Sequence, residues 1–279
     1  MSVRFRLMTI EDIPEAMQLK DSASWNQTAA DWAQFLSANP EGCFVAEHEG
    51  RVVGTSTSII YEGRFAWIGM VIVDSQYRRQ GIGTALLERA IRFLDSRWVL
   101  CMKLDATPLG KPIYEKFGFV TEYDIERWML MRQRRTNLAA KPSAEIEDVL
   151  RLDREIFGAD RSGLLRSLTE AAPDLTLVAR QEPGVNGYTF GRRGSRADHL
   201  GPWMARNEDV ASTLLDEFLH CSSRELVFVD CLQQNSWAVP LLRTRGFELS
   251  RPLTRMFRGM NQYPGRPELL CAVLGPEFG

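Results

Sequence analysis

No apolar run in the sequence is long enough to cross a membrane. The longest clean one, residues 66–73, falls far short of the ~20 residues a spanning helix needs, so a membrane is not expected as a partner. Charge of one sign is missing too. The 34 Lys and Arg meet 36 Asp and Glu for a net −2, which removes the electrostatic reason to expect nucleic acid. Histidine is scarce: His48, His199 and His220 lie far apart without ligand spacing, so no metal is expected. The five cysteines, Cys43, Cys101, Cys221, Cys231 and Cys271, form no close pairs. An odd count, with no leader in a start that soon meets Glu11 and Asp12, points to reduced thiols and a cytoplasmic location. Cys101 and Cys231 fall in strand-like runs and read as buried small hydrophobes. Two phosphate fingerprints are also missing. There is no Gly-Lys-Ser/Thr run for a P-loop, and Leu86 stands where a dinucleotide motif wants its third glycine.

At 279 residues the chain is about twice one ~150-residue domain. The first half alternates strand and helix patterns. Residues 3–8 read as a strand with Arg4 and Arg6 outward and Phe5 and Leu7 inward. Thr9 is placed to cap a helix over 10–19, and Thr28 a second one through 36. Strands at 43–47, 51–61 and 65–73 are joined by Glu49-Gly50 and Glu62-Gly63, the turn chemistry of an antiparallel meander. A polar loop then leads into an amphipathic helix over 81–94. A strand at 100–106, a short helix at 112–117 and a strand at 120–131 close the half. A mixed sheet with flanking helices makes this α+β, or mixed α/β. Residues 133–147 are polar and lose periodicity, marking a linker between domains at 1–132 and 148–279.

The second half repeats the first at an offset of 128. Pro112, Gly118, Phe119 and Arg127 match Pro240, Gly246, Phe247 and Arg255. Leu86-Leu87 match Leu214-Leu215, Arg78 matches Arg206, and Asp105 meets Asp230 after a three-residue slip. A self-match of domain length is a duplicated domain, not a solenoid.

The chemistry is concentrated in residues 71–87. An apolar strand ends, a basic loop with two glycines follows, and a helix begins. Unpaired N–H groups at a helix start, with glycines that admit close approach, make an anion site. Gly-x-Gly alone fits a glycine-eased turn equally well. The stretch Arg78-x-x-Gly81-x-Gly83 resembles the acyl-CoA pyrophosphate signature of the GNAT acyltransferase superfamily, Gln/Arg-x-x-Gly-x-Gly/Ala. A second element in the right order strengthens the likeness: Leu104-Asp105-Ala106-Thr107, then Tyr114 four residues before Gly118-Phe119. Trp25-Asn26-Gln27, Ala66-Trp67-Ile68-Gly69-Met70 and Leu-Asp-Ala-Thr further resemble a bacterial two-domain subgroup with a degenerate second half.

The resemblance implies two GNAT-like domains in tandem, each a mixed, mostly antiparallel twisted sheet flanked by helices. It implies acetyl-CoA as co-substrate. Val71, Ile72 and Val73 would pair with the pantetheine arm, and one of their N–H groups would hold the thioester oxyanion. Arg78 adds charge, while Arg79, Gln80, Gly81, Ile82, Gly83 and Thr84 would donate N–H groups to the pyrophosphate. Thr107 stands where the family often has an Asn contacting the arm. Tyr114 would protonate the leaving thiolate, a sensible role for a group with a pKa near ~10. The strand before the loop carries no carboxylate. Glu62, Asp21, Asp31 and Asp105 are the nearby acids, none singled out as general base. Trp32, Trp67, Tyr61 and Phe65 read as core, and Trp25 as pocket-lining.

In the second copy the loop becomes Arg206-Asn207-Glu208-Asp209-Val210-Ala211, without glycine and with two acids that repel an anion, and Tyr114 becomes Leu242. That half is expected to lack cofactor and chemistry, and either to cover the acceptor site or to form a subunit interface in a homodimer. The leading reading is an N-acetyltransferase acting on a small-molecule amine in a ternary complex. A peptide or protein amine, or a non-catalytic acyl-CoA-binding module, are the alternatives.

Overall fold

Two hairpin turns set the register of the first sheet. Glu49-Gly50 and Glu62-Gly63 place both central residues at positive φ (50° and 78°; 56° and 68°), the backbone a tight antiparallel hairpin needs. They join β2 (Phe44–His48), β3 (Arg51–Tyr61) and β4 (Phe65–Val73) in the expected meander. β1 (Arg4–Leu7) lies antiparallel on β2. The computed structural model describes residues 3–133, 145–181 and 183–279; most of the expected linker falls outside them. No helix among the described residues is long and apolar enough to cross a membrane.

The first helix departs from expectation. Pro14 has no N–H and is tolerated only in a first turn, so α1 spans Ile13–Ser22. The stretch Ile10–Asp12 is a separate 3-10 turn whose Asp12 carboxylate accepts the Thr9 N–H at 2.8 Å. Leu7, expected to face inward, is exposed, while Arg6 is tied to Asp12 and Glu47. Thr28 caps α2 (Ala29–Ala38) with Asp31 as its reciprocal partner. The half continues through α3 (Ile82–Ser96), β5 (Cys101–Ala106), α4 (Lys111–Lys116) and β6 (Val120–Met131).

The second half runs α5 (Glu147–Phe157), α6 (Ser162–Ala171), β7 (Leu177–Gln181), β8 (Gly184–Arg193), β9 (Asp198–Ala205), α7 (Glu208–Cys221), β10 (Leu226–Leu232), α8 (Ala238–Thr244), β11 (Glu248–Gly259) and β12 (Leu270–Ala272). Matched positions of the repeat occupy matched places. Gly118 and Gly246 both adopt φ +81°, and Phe119 and Phe247 are both buried. The Leu pairs sit on the buried faces of α3 and α7.

The halves do not keep separate sheets. The twelve strands among the described residues form one, in the order β1-β2-β3-β4-β5-β11-β6-β10-β12-β9-β8-β7. Each half lends its long last strand to the other: β11 pairs with β5 of the first half, β6 with β10 of the second, and the two exchanged strands pair with each other. The exchange is locked by two equivalent ion pairs. Arg127 on β6 makes a two-pronged bond to Asp230 on β10 (2.8 and 2.6 Å). Arg255 on β11 does the same to Asp105 on β5 (2.8 and 2.9 Å). The three-residue slip seen in the repeat is absorbed here. One apolar core runs across the junction, with Tyr61 and Phe65 packing edge-on against Phe157.

Removing one partner of a buried pair strands the other charge, at a cost of about 3–5 kcal/mol. Arg255→Met is therefore expected to lower stability to urea by that order. The double variant Arg255→Met/Asp105→Leu should recover most of the loss, as read from the midpoints of both unfolding curves.

Candidate active site

A parallel pair of strands that stops pairing early creates the site. β4 and β5 share only Ala66↔Met102 and Trp67↔Lys103. Beyond Trp67, β4 stays bonded to β3 alone, so alternate N–H and C=O groups of residues 68–73 face a gap. Within that stretch the ladder slips: Thr55 pairs with Ile72 but Thr57 with Gly69, and Met70 takes φ +51°. A left-handed non-glycine residue beside a bulge re-aims the backbone and persists only where its surroundings hold it. Here the Thr55 hydroxyl donates to the Met70 carbonyl at 2.7 Å.

The loop after β4 has the form of an anion cradle. Arg79 (φ +61°) and Gly81 (φ +81°) turn the chain into α3, and no side chain caps that helix. No acid lies in its first turn. The N–H groups of its opening residues are therefore those left over by helix geometry. Arg78, Arg79, Gln80, Gly81 and Thr84 are exposed, while the Ile82 side chain is buried and leaves only its N–H for a ligand. Arg78 Nε donates to the Val73 carbonyl at 3.0 Å, bracing the loop against the end of β4.

The cavity in the gap encloses about 590 Å³ of empty space, its open mouth included. Ile68–Val71 form one wall, Thr107 and Tyr114 another. The Thr107 hydroxyl accepts the Gly110 N–H at 3.2 Å. Gly110 is required there, because a Cβ would come within 2.9 Å of the Tyr114 ring. Tyr114 packs edge-on against Phe119, and desolvation pushes its hydroxyl up to about 12. Trp25 also lines the cavity. Its neighbour Asn26 explains why: the Asn26 side chain accepts the N–H groups of Arg196 and Ala197 and donates to the Ala197 carbonyl. That clamp ties the loop bearing Trp25 and Gln27 to the second half.

Several lining residues were missed by the sequence reading. Arg127, Arg251, Leu253, Pro276 and Glu277 all come from the exchanged strands or the chain's last segment. That segment crosses β3 and β4, held by Trp67 Nε1 to the Pro276 carbonyl (2.9 Å) and the Tyr61 hydroxyl to the Phe278 carbonyl (2.8 Å). Gly69 lets it pass: a Cβ there would lie 2.8 Å from the Glu277 carbonyl oxygen. The Pro-Glu signal near the end of the sequence carries no periodicity that could have revealed this.

Glu277 belongs to a buried network. Arg192 bonds both Asp31 (2.8 Å) and Glu277, and approaches His199. His199 in turn lies 3.0 Å from Asp230. Burial alone would raise Glu277, but Arg192, His199 and Arg127 outweigh it and hold the carboxyl below its usual range. Of the acids considered beforehand, Asp31 is committed to Arg192 and Glu62 is paired with Arg154 and Arg64. Asp21 is exposed beside Lys20. Only Asp105 reaches the cavity, and Arg255 holds it. Trp32, Trp67, Tyr61 and Phe65 are core. No group of His, Cys, Asp and Glu among the described residues could hold a metal.

The equivalent corner of the second half differs. α7 is capped by Asn207, whose side chain accepts the Val210 N–H at 2.9 Å, and Glu208 and Asp209 fill its first turn. Leu242 is wholly buried.

Comparison with known proteins agrees with this geometry. Residues 7–119 match the acetyltransferase (GNAT) family and residues 149–272 an acetyltransferase (GNAT) domain. The chain belongs to the GNAT superfamily of acyl-CoA-dependent N-acyltransferases, as two such domains in tandem. It is 26% identical over 263 residues to holothin acyltransferase of Pseudoalteromonas sp., covering 91% of this chain and 87% of that one. It is 29% identical over 159 residues to the uncharacterized N-acetyltransferase YitH of Bacillus subtilis, spanning 55% of this chain but only 56% of YitH. In fold it is similar to a candidate acetyltransferase from Pyrococcus horikoshii (TM-score 0.82, 24% identity, 99% and 96% coverage). It also resembles a GCN5-related N-acetyltransferase from Sphaerobacter thermophilus (TM-score 0.69, 15% identity, 94% and 96% coverage).

All five cysteines are buried thiols, and burial pushes Cys43 and Cys101 up to about 12 and about 11. A thiolate nucleophile thus has no place here. The native protein at pH 7.5 should give no fast reaction with a chromogenic disulfide reagent, and all five thiols should react in denaturant.

Proposed function

We propose that the chain is an N-acetyltransferase that moves the acetyl group of acetyl-CoA to a primary amine of a small molecule, with both bound together. The observation that carries this is the meeting, in one cavity, of the unpaired edge of β4 with Tyr114.

In this reading the pantetheine arm completes the gap as a surrogate strand along Val71, Ile72 and Val73. The pyrophosphate sits on the N–H groups of Arg79–Thr84, with Arg78 beside it and Thr107 flanking the arm. The thioester carbonyl then lies at the bulge, where an N–H freed by the left-handed Met70 stabilises the oxyanion. The neutral amine nitrogen attacks the carbonyl carbon, the C–S bond breaks, Tyr114 gives its proton to the departing thiolate, and the proton the nitrogen sheds as the amide forms returns through solvent to the Tyr114 oxygen. A hydroxyl pushed up to about 12 stays protonated throughout the neutral range, so the acid is always loaded. Most of the rate comes from positioning and oxyanion stabilisation.

The acceptor enters from the side of Trp25. Walls supplied by Arg251, Leu253, Pro276 and Glu277 close that side, which favours a small molecule over a polypeptide. In this reading the second half (residues 148–279) binds no CoA and serves as that wall.

Calorimetry should give one acetyl-CoA per chain. Tyr114→Phe should keep that affinity within about twofold while lowering kcat by 10²-fold or more. Two equivalents would restore a working second site, and an unchanged kcat would remove Tyr114 from the chemistry.

A further inference from the structure

Three buried polar atoms without a hydrogen-bond partner stand on residues that line the cavity: Gln27 Oε1, Arg251 Nε and Glu277 Oε2. Native interiors leave few such atoms, and each calls for a physical reason. Here two carry opposite charge.

Arg251 is placed deliberately. Strand alternation places it on the face of Leu253 and Arg255, just after a register shift that skips Ser250 between the pairs Leu249↔Trp128 and Arg251↔Arg127. It stands directly opposite Arg127, and like charges facing across a ladder are unfavourable. Arg127 is neutralised by its two-pronged bond to Asp230. Arg255 has Asp105, and Arg192 has Asp31 and Glu277. Arg251 has no carboxylate within ion-pair distance among the described residues. Desolvation and Arg127 together lower it to about 10, so the charge is held at a cost. Arg192 meanwhile serves two carboxylates with one charge. That leaves Arg251 without an ion pair, and Glu277, held by Arg192 and Gln27, with its Oε2 unbonded, both in the cavity wall.

The geometry points to a zwitterionic acceptor, an amine that carries its own carboxylate as an amino acid does, with the carboxylate on Arg251 and the ammonium between Glu277 Oε2 and Gln27 Oε1. This deepens the acetyltransferase reading and rests on it. Glu277, held below the usual carboxyl range, is suited to grip an ammonium and poorly suited to strip its proton. The amine therefore reacts as its neutral fraction, after its proton passes to water.

The test is a panel of the common L-amino acids and of β- and γ-amino acids, each paired with its primary amide, scored by free thiol released from acetyl-CoA. At least one acid is expected to turn over, and to exceed its amide on the order of 10²-fold in kcat/KM, since the amide leaves the guanidinium unpaired. Arg251→Met should erase that preference chiefly through KM, and Arg251→Lys should restore part of it. Because the variant removes a buried unpaired cation, Arg251→Met should not lower Tm. A fall of more than about 5 °C would make Arg251 a structural residue and overturn the assignment. Amides that match or exceed the acids also overturn it, as does a silent panel with acetyl-CoA bound. Failure to bind acetyl-CoA at all is a distinct result, overturning the acetyltransferase reading itself.

Discussion

The reciprocal exchange of β6 and β11, held by Arg127–Asp230 and Arg255–Asp105, is the constraint on which the rest depends. β5 is bonded to β11 through six successive residue pairs, from Thr254↔Ala106 to Gly259↔Cys101, and to β4 through two. Its direction is therefore fixed from the far side. β4 is tied along its length to β3, and the two strands part because each follows its own stronger partner. The gap between them is thus kept open by a strand from the other half of the chain. The same strand brings Arg251 and Leu253 to the cavity, so holding the gap open and furnishing its far wall are one structural fact.

Local features were legible in the sequence and non-local ones were not. The hairpin turns, the Thr28 cap and the bounds of three long strands follow from residues adjacent in the chain, whose backbone preferences act wherever the chain goes. Trp25 could be singled out because an aromatic in a polar loop has no other evident use. The duplication was visible as a constant offset. What the offset does not contain is which copy of a strand pairs with which. Arg127 and Arg255 read as matched residues, yet nothing in the sequence says that each is buried against an aspartate of the opposite half. Arg251 shares the face of Leu253 and Arg255 by plain alternation, but nothing local in the sequence says that this face of β11 meets the cavity. Glu277 lies in a segment without periodicity, positioned by Trp67, Tyr61 and the bareness of Gly69.

The two helix starts after β4 and β9 show how one fold element serves two ends. α3 opens with glycine in the left-handed region and no acid, leaving its N–H groups to a ligand. α7 opens with Asn207 satisfying its own N–H group and with Glu208 and Asp209 against the dipole. The second arrangement is better for the helix and worse for an anion. The capped, acidic start makes α7 the more self-sufficient helix, and α3 keeps the less self-sufficient start.

Once each copy's final strand had been built into its sibling, the two ceased to be separable parts. Deleting the second copy would take away the neighbour of β5 and bare the Asp105 carboxylate to a void. Retention of a repeat that lacks the first copy's glycines and tyrosine therefore needs no activity of its own to explain it. Its inheritance is secured by architecture, and drift in its loops can reshape the chamber that the two copies enclose.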